Sequence, residues 1–285
     1  MTTAIKFGKA LSYEFGHRSS SAGFGELPQF RALQGAFGAL APRFHVEEYH
    51  GSKRQVYFDT TQSWLRSRAR CELCDLLLIT YSTTGPLQAR LMLLQAKLSR
   101  SKHVDPCSLH GVHSQPIEFK GNFEQWDLLS ARPLVFPTGV FTPPPDLLQK
   151  AIVPSIGAFG IFHRKASGSI DMFYASADTL NPVGTPLTKD GKLSTTVGSS
   201  HRNFCGFIDK PMCCCLQTFG ESIFQLHMGA PIRSTDASGD QTNHEPLLSF
   251  VKGVLVSLIH GVDANSLLAS ELLSLTWSNG LVPPS

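Results

Sequence analysis

The chain has 285 residues, a formal net charge of +3 and a pI near 8.5, with 42% hydrophobic and only 16% charged residues. That composition excludes a disordered or tail-like polyelectrolyte and implies a sizeable core, in one large α/β body or in about two units. The positive charge is too mild to identify a nucleic-acid partner by itself, because such binding depends on where basic groups cluster.

No stretch reaches the roughly 18 consecutive apolar residues of a membrane helix, and the N-terminal residues lack the pattern of a secretory signal. Seven cysteines, an odd number that includes the run Cys213, Cys214, Cys215, suit a reducing compartment. A cytoplasmic protein with no membrane partner is expected.

Residues 1–25 are rich in Ser and Gly around an apolar patch at Leu11, Tyr13 and Phe15, and read as a loop or short helix. From Glu26, the residues Leu27, Phe30, Leu33, Phe37, Leu40 and Ala41 recur at helical spacing, with Pro28 in the first turn, where proline is tolerated. Pro42 ends that helix. Strand-like segments follow at 44–49 and 55–58, separated by Gly51 and Ser52.

Two longer apolar runs, 76–81 and 90–98, flank Ser82-Thr83-Thr84-Gly85-Pro86 and predict a β-hairpin with a medium loop. Residues 101–122 read as a loop or insertion, 123–129 as a short helix, and the proline-rich stretch 133–145 as a boundary that divides the chain into units 1–145 and 146–285. In the second unit, 156–162 and 170–175 read as strands, and 181–200 as a Ser/Thr/Gly-rich stretch between structured parts. Two helices close the chain, one from Glu245-Pro246 to Gly261 and one from about Ala264 through Leu275. The expected fold class is α/β, a mixed central sheet flanked by helices, with an α+β C-terminal part.

The hairpin carries the chemistry. Alternation in a strand puts Gln95 and Lys97 on one face and Leu94, Ala96 and Leu98 on the other. A turn around Gly85 and Pro86 pairs residues whose numbers sum to about 171 or 172, which brings Asp75 opposite the Gln95 to Lys97 stretch. An acid, an amide and a lysine on an otherwise apolar hairpin are costly to bury unless they are paired or bound to an ion. Mg²⁺ or Mn²⁺ takes oxygen ligands of the kind Asp75 and Gln95 provide, and Lys97 is placed to orient an attacking water and to neutralise developing phosphorane charge.

Asp75, a nineteen-residue gap and then Gln95-Ala96-Lys97 resembles the PD-(D/E)xK (restriction endonuclease-like) superfamily of phosphodiesterases in its QxK variant. The match spans about thirty residues and departs from the pattern in two ways: Gln95 stands for the commoner acid, and Cys74 stands where a proline usually precedes the aspartate. The resemblance implies a mixed sheet flanked by helices, a Mg²⁺- or Mn²⁺-dependent nuclease, and a further acidic ligand from the helix before the hairpin. Glu26 suits that role because it shares the Phe30, Leu33, Phe37 face and is expected to point inward; Glu14 and Glu72 rank behind it.

The implied metal ligands are therefore Glu26, Asp75 and Gln95, with Lys97 completing the catalytic set. Arg66, Arg68, Arg70 and Arg100 flank the hairpin as candidates for phosphate contacts. Nucleic acid is the expected partner, DNA ahead of RNA, beside a protein partner or a second copy of the chain. By analogy alone the resemblance extends to restriction and anti-phage defence. The alternative is a non-catalytic nucleic-acid-binding or assembly subunit that keeps the nuclease fold.

Other constellations are weaker. Cys71 and Cys74 with Cys107, His110 and His113 have spacing a zinc site would accept, but Cys71 and Cys74 enter an apolar strand, where cysteine is commonly a buried hydrophobe. His163, His201, His227, His244 and His260 have no spacing that selects a base. Phosphate-loop, dinucleotide and nucleophile-elbow motifs are absent, which removes ATPase, dehydrogenase and α/β-hydrolase readings.

Overall fold

A computed structural model describes residues 3–40, 44–49, 54–82, 86–100, 117–139, 142–184, 188–195 and 200–259. The chain opens with α1 (Thr3–Ser21) and α2 (Glu26–Ala39). It continues through β1 (Phe44–Glu48), β2 (Gln55–Asp59), β3 (Arg68–Glu72), β4 (Leu76–Ser82), β5 (Gln88–Leu98), β6 (Glu118–Asn122), α3 (Phe123–Ala131) and β7 (Phe136–Pro137). The remainder comprises β8 (Gly157–Arg164), β9 (Ile170–Ser176), β10 (Leu180–Pro182), β11 (Asp190–Thr195), β12 (Arg202–Phe204), β13 (Phe207–Asp209), β14 (Met212–Cys213), α4 (Leu216–Phe224), β15 (Ala230–Thr235), β16 (Gln241–Asn243) and α5 (Leu247–Ile259).

The main sheet runs β1-β4-β5-β8-β9-β14, and β15 joins it along the start of β5. β5 and β8 are parallel, while β1 with β4, β4 with β5, and β8 with β9 are antiparallel, so the sheet is mixed. The near-continuous apolar runs of β4 and β5 belong to strands covered on both faces. Met92, Leu94 and Ala96 pack with Leu11, Phe15, Phe30, Leu33, Phe37 and Phe219 of α1, α2 and α4. Leu91 and Leu93 join the core that includes Leu128 and Leu129 of α3 and Leu247, Leu248 and Val251 of α5. Helices thus flank a mixed sheet on both faces, as the α/β reading expects. No helix among the described residues is long and apolar enough to cross a membrane.

Three expectations are corrected. Residues 3–21 form a full helix, whose buried stripe of Ala4, Gly8, Leu11, Phe15 and Ser19 includes small residues with little apolar signal. Gly8 sits where α1 crosses α4: a Cβ there would come within 2.4 Å of the Gln217 carbonyl. The stretch 181–200 contains β10 and β11, and β11 pairs with β6 into a small sheet. The division at residue 145 is not found, because β5 from one side and β8 from the other lie side by side in one sheet over a shared core. The proline-rich stretch is instead threaded through the fold, with β7 paired to β2. The first C-terminal helix matches α5; the one expected from Ala264 lies outside the described residues.

Candidate active site

The hairpin forms with Leu76 opposite Leu94 and Ser82 opposite Gln88, a residue-number sum of 170 where 171 or 172 is expected. Asp75 enters β4 beside that ladder and is tied on both sides. Its N–H donates to the Leu94 carbonyl (3.1 Å), and its own carbonyl accepts from the Tyr49 N–H (2.8 Å). Its carboxylate Oδ2 accepts the Ala96 N–H at 2.7 Å, which fixes the side chain against the Gln95-Ala96-Lys97 segment. Burial pushes the Asp75 carboxyl up to about 6, although the Lys97 charge and the Ala96 N–H pull it back; Glu26 and Glu72 add to the rise.

Gln95 is 0% exposed, and neither atom of its side-chain amide has a hydrogen-bond partner among the described residues. Lys97, 8% exposed, extends from the same strand face and reaches Glu26 Oε1 at 3.5 Å. The structure therefore groups Asp75, Lys97 and Glu26 through charge and contact, and places Gln95 by its position in β5, next to the Ala96 N–H that holds the Asp75 carboxylate, with a correction for Glu26. It occupies the first turn of α2 with a 48% exposed side chain, and it meets the site through the tip of Lys97 rather than by pointing into the helix–sheet layer. Glu14 pairs with Arg18 on α1 at 3.3 Å, and Glu72 acts on Asp75 only through its charge.

These donors suit a hard divalent cation. Two carboxylates and an amide oxygen are the ligand types such ions select, and Mg²⁺ needs only one or two carboxylates because it keeps several waters. No group of three His, Cys, Asp or Glu able to hold a metal occurs among the described residues, so a site here depends on the Gln95 oxygen as the third donor. A buried amide with no partner among the described residues, in the strand segment that holds a carboxyl above its ordinary range, is an arrangement that a cation reaching both would relieve.

Lys97 and Glu26 form part of the lining of an open cleft of about 970 Å³, which Arg100, Lys120, Asn122 and Lys192 share. Lys120 and Lys192 face each other across the β6–β11 register. Lys192 pairs with Glu118 at 3.3 Å, whereas Arg100 and Lys120 have no ion pair among the described residues. Asp75 and Gln95 do not line the cleft. Lys192 was not among the expected basic residues; the alternation Lys192, Leu193, Ser194 after Asp190-Gly191 is the strand signal that would have found it.

The other arginines lie elsewhere. Arg66 is held by Glu124 of α3 at 2.6 Å. Arg68 and Arg70 stack over the Tyr57 ring at 5.4 and 5.6 Å in the separate β3-β2-β7 sheet. Cys71 and Cys74 are free thiols buried in the core, which raises the pKa of both and makes thiolate chemistry costly. Cys107, His110 and His113 of the zinc reading lie outside the described residues. Cys213, Cys214 and Cys215 are buried as expected, and Cys213 and Cys215 are free thiols.

No family model, curated protein or solved structure matches the chain.

Proposed function

We propose that the chain hydrolyses phosphodiester bonds of nucleic acid, DNA in the first instance, with Mg²⁺ or Mn²⁺ held by Asp75, Gln95 and Glu26. The observation that carries this reading is the fully buried amide of Gln95, unpartnered among the described residues, in the strand segment whose Ala96 N–H holds the Asp75 carboxylate and whose Lys97 acts on it. The mixed sheet flanked by helices, with the Glu26 helix ahead of the hairpin, agrees with the resemblance to the PD-(D/E)xK superfamily.

When bound, the cation supplies Lewis-acid polarisation of a phosphoryl oxygen and a lowered pKa for water. Asp75 is ionised at neutral pH even with its raised pKa, and the Ala96 N–H keeps its carboxylate oriented. Lys97, anchored in β5 with its ammonium at the cleft, stabilises negative charge that develops on the phosphate. Arg100, Lys120 and Lys192 offer sequence-independent contacts to the polymer backbone.

The test is incubation of the protein with plasmid DNA, single-stranded DNA and RNA in Mg²⁺, Mn²⁺ or EDTA, beside Lys97→Ala. Metal-dependent cutting that the variant loses supports the site; cutting that the variant retains moves it elsewhere. The Lys97–Glu26 ion pair favours a second reading, a subunit that binds nucleic acid without turnover. On that reading Asp75→Ala leaves nucleic-acid affinity intact and neither protein cuts.

A further inference from the structure

A second polar cavity, of about 250 Å³, opens at the other end of β5 between the β12–β13 hairpin and β15. Arg90 lines it from β5 and is only 8% exposed. One end of its guanidinium, Nη1, donates to the carbonyls of Ile208 (3.0 Å) and Gly229 (3.2 Å), and the Phe207 ring lies 5.6 Å from its carbon centre. These contacts hold the planar group in place without neutralising it.

The acid that acts on Arg90, Asp209, is itself committed to Arg202 at 2.7 Å. Burial lowers the Arg90 pKa to about 10, which leaves a full positive charge at neutral pH. His227 lines the same cavity, with its Nδ1 buried and lacking a partner among the described residues. Arg233 and Ser234 of β15, the Ser234 hydroxyl lying 2.8 Å from His244 Nε2, complete a lining with no carboxylate among the described residues.

A desolvated guanidinium, a second guanidinium, an unpaired imidazole nitrogen and a hydroxyl around a small volume form a donor-rich, positively charged pocket. Fixed guanidinium forks match the geometry of phosphate oxygens. We infer that this pocket binds a phosphate dianion, free or as the monoester of a small molecule, with Arg90 and His227 donating to its oxygens. The cavity is too small for a polymer and is separate from the open cleft, so the inference stands apart from the nuclease reading.

Isothermal titration with inorganic phosphate, adenosine 5′-monophosphate and adenosine tests it. Both phosphate compounds should bind and adenosine should not. Phosphate binding as tightly as the nucleotide identifies the free anion as occupant; tighter nucleotide binding identifies an ester. His227→Phe, which keeps the ring and removes the donors, should weaken binding by about tenfold or more, the loss of one charge-assisted hydrogen bond. Arg233→Gln should weaken it in the same direction, and Lys120→Ala in the cleft should leave it unchanged. The inference is overturned if neither phosphate compound binds, or if binding survives both pocket variants and is lost in Lys120→Ala.

Discussion

Gln95→Met removes the buried amide while conserving the length and flexibility of the side chain. Gln95 is completely enclosed and its amide is unpaired among the described residues, and an unpaired interior amide costs about 1–3 kcal/mol by protein mutational measures. Methionine fills the same linear space with a thioether that needs no partner. In EDTA the variant should therefore be more stable by about 1–3 kcal/mol. An unfolding entropy of about 2.1 cal/mol/K per residue over 285 residues gives about 0.6 kcal/mol/K, so the melting temperature should rise by about 2–5 °C. Saturating Mg²⁺ should cancel or reverse that advantage, because a cation present at 100 times its dissociation constant stabilises the wild type by about 2.7 kcal/mol, while the variant has lost a ligand. Scanning calorimetry of both proteins in EDTA and in MgCl₂ reads all four values. A variant that melts lower in EDTA refutes the unpaired amide, and equal metal responses refute Gln95 as a ligand.

Burial raises Asp75 from 3.8 to about 6, so the folded protein holds this proton over a range where the unfolded chain has released it, and stability falls as pH rises between those values. Asp75→Asn should remove a penalty of about 3 kcal/mol at pH 7 and above, read from denaturant unfolding across pH. Metal affinity, which requires the carboxylate, should drop about tenfold per pH unit below about 6 and level off above it. Arg66→Ala strands Glu124, which is 3% exposed, and should cost about 3 kcal/mol of stability without changing nucleic-acid affinity; weaker affinity at unchanged stability would reverse that assignment. Arg100→Ala and Lys120→Ala should each alter stability by no more than about 0.5 kcal/mol and each reduce the salt dependence of DNA binding by about one phosphate contact, measured by fluorescence anisotropy over a salt series.

What was legible in the sequence is what depends on near neighbours. The Glu26 helix, the apolar hairpin and the shared face of Gln95 and Lys97 all follow from spacing within a dozen residues. The register was expected one or two residues away from the observed pairing, close enough to put Asp75 against the Gln95 to Lys97 stretch, where its carboxylate accepts the Ala96 N–H. The Ala4, Gly8 and Ser19 positions of α1 bury small groups, so its amphipathic stripe is faint. The features that were missed are long-range. The parallel pairing of β5 with β8 joins segments on opposite sides of a proline-rich stretch, the partner of Arg66 lies on α3, and Lys192, although its strand has a local alternation, reaches the cleft only through the distant pairing of β11 with β6.

β5 is bordered on one edge by β4 and on the other by β15 and then β8, so that its second neighbour changes orientation between Leu91 and Leu93. Arg90 precedes that switch and Lys97 follows it. Seven residues of strand at about 3.3 Å each put the two side chains roughly 23 Å apart. At that distance two occupants do not compete for space, and bulk salt screens most of their mutual charge. Their binding free energies should add, and a small phosphate in one pocket would leave a polymer in the other undisturbed.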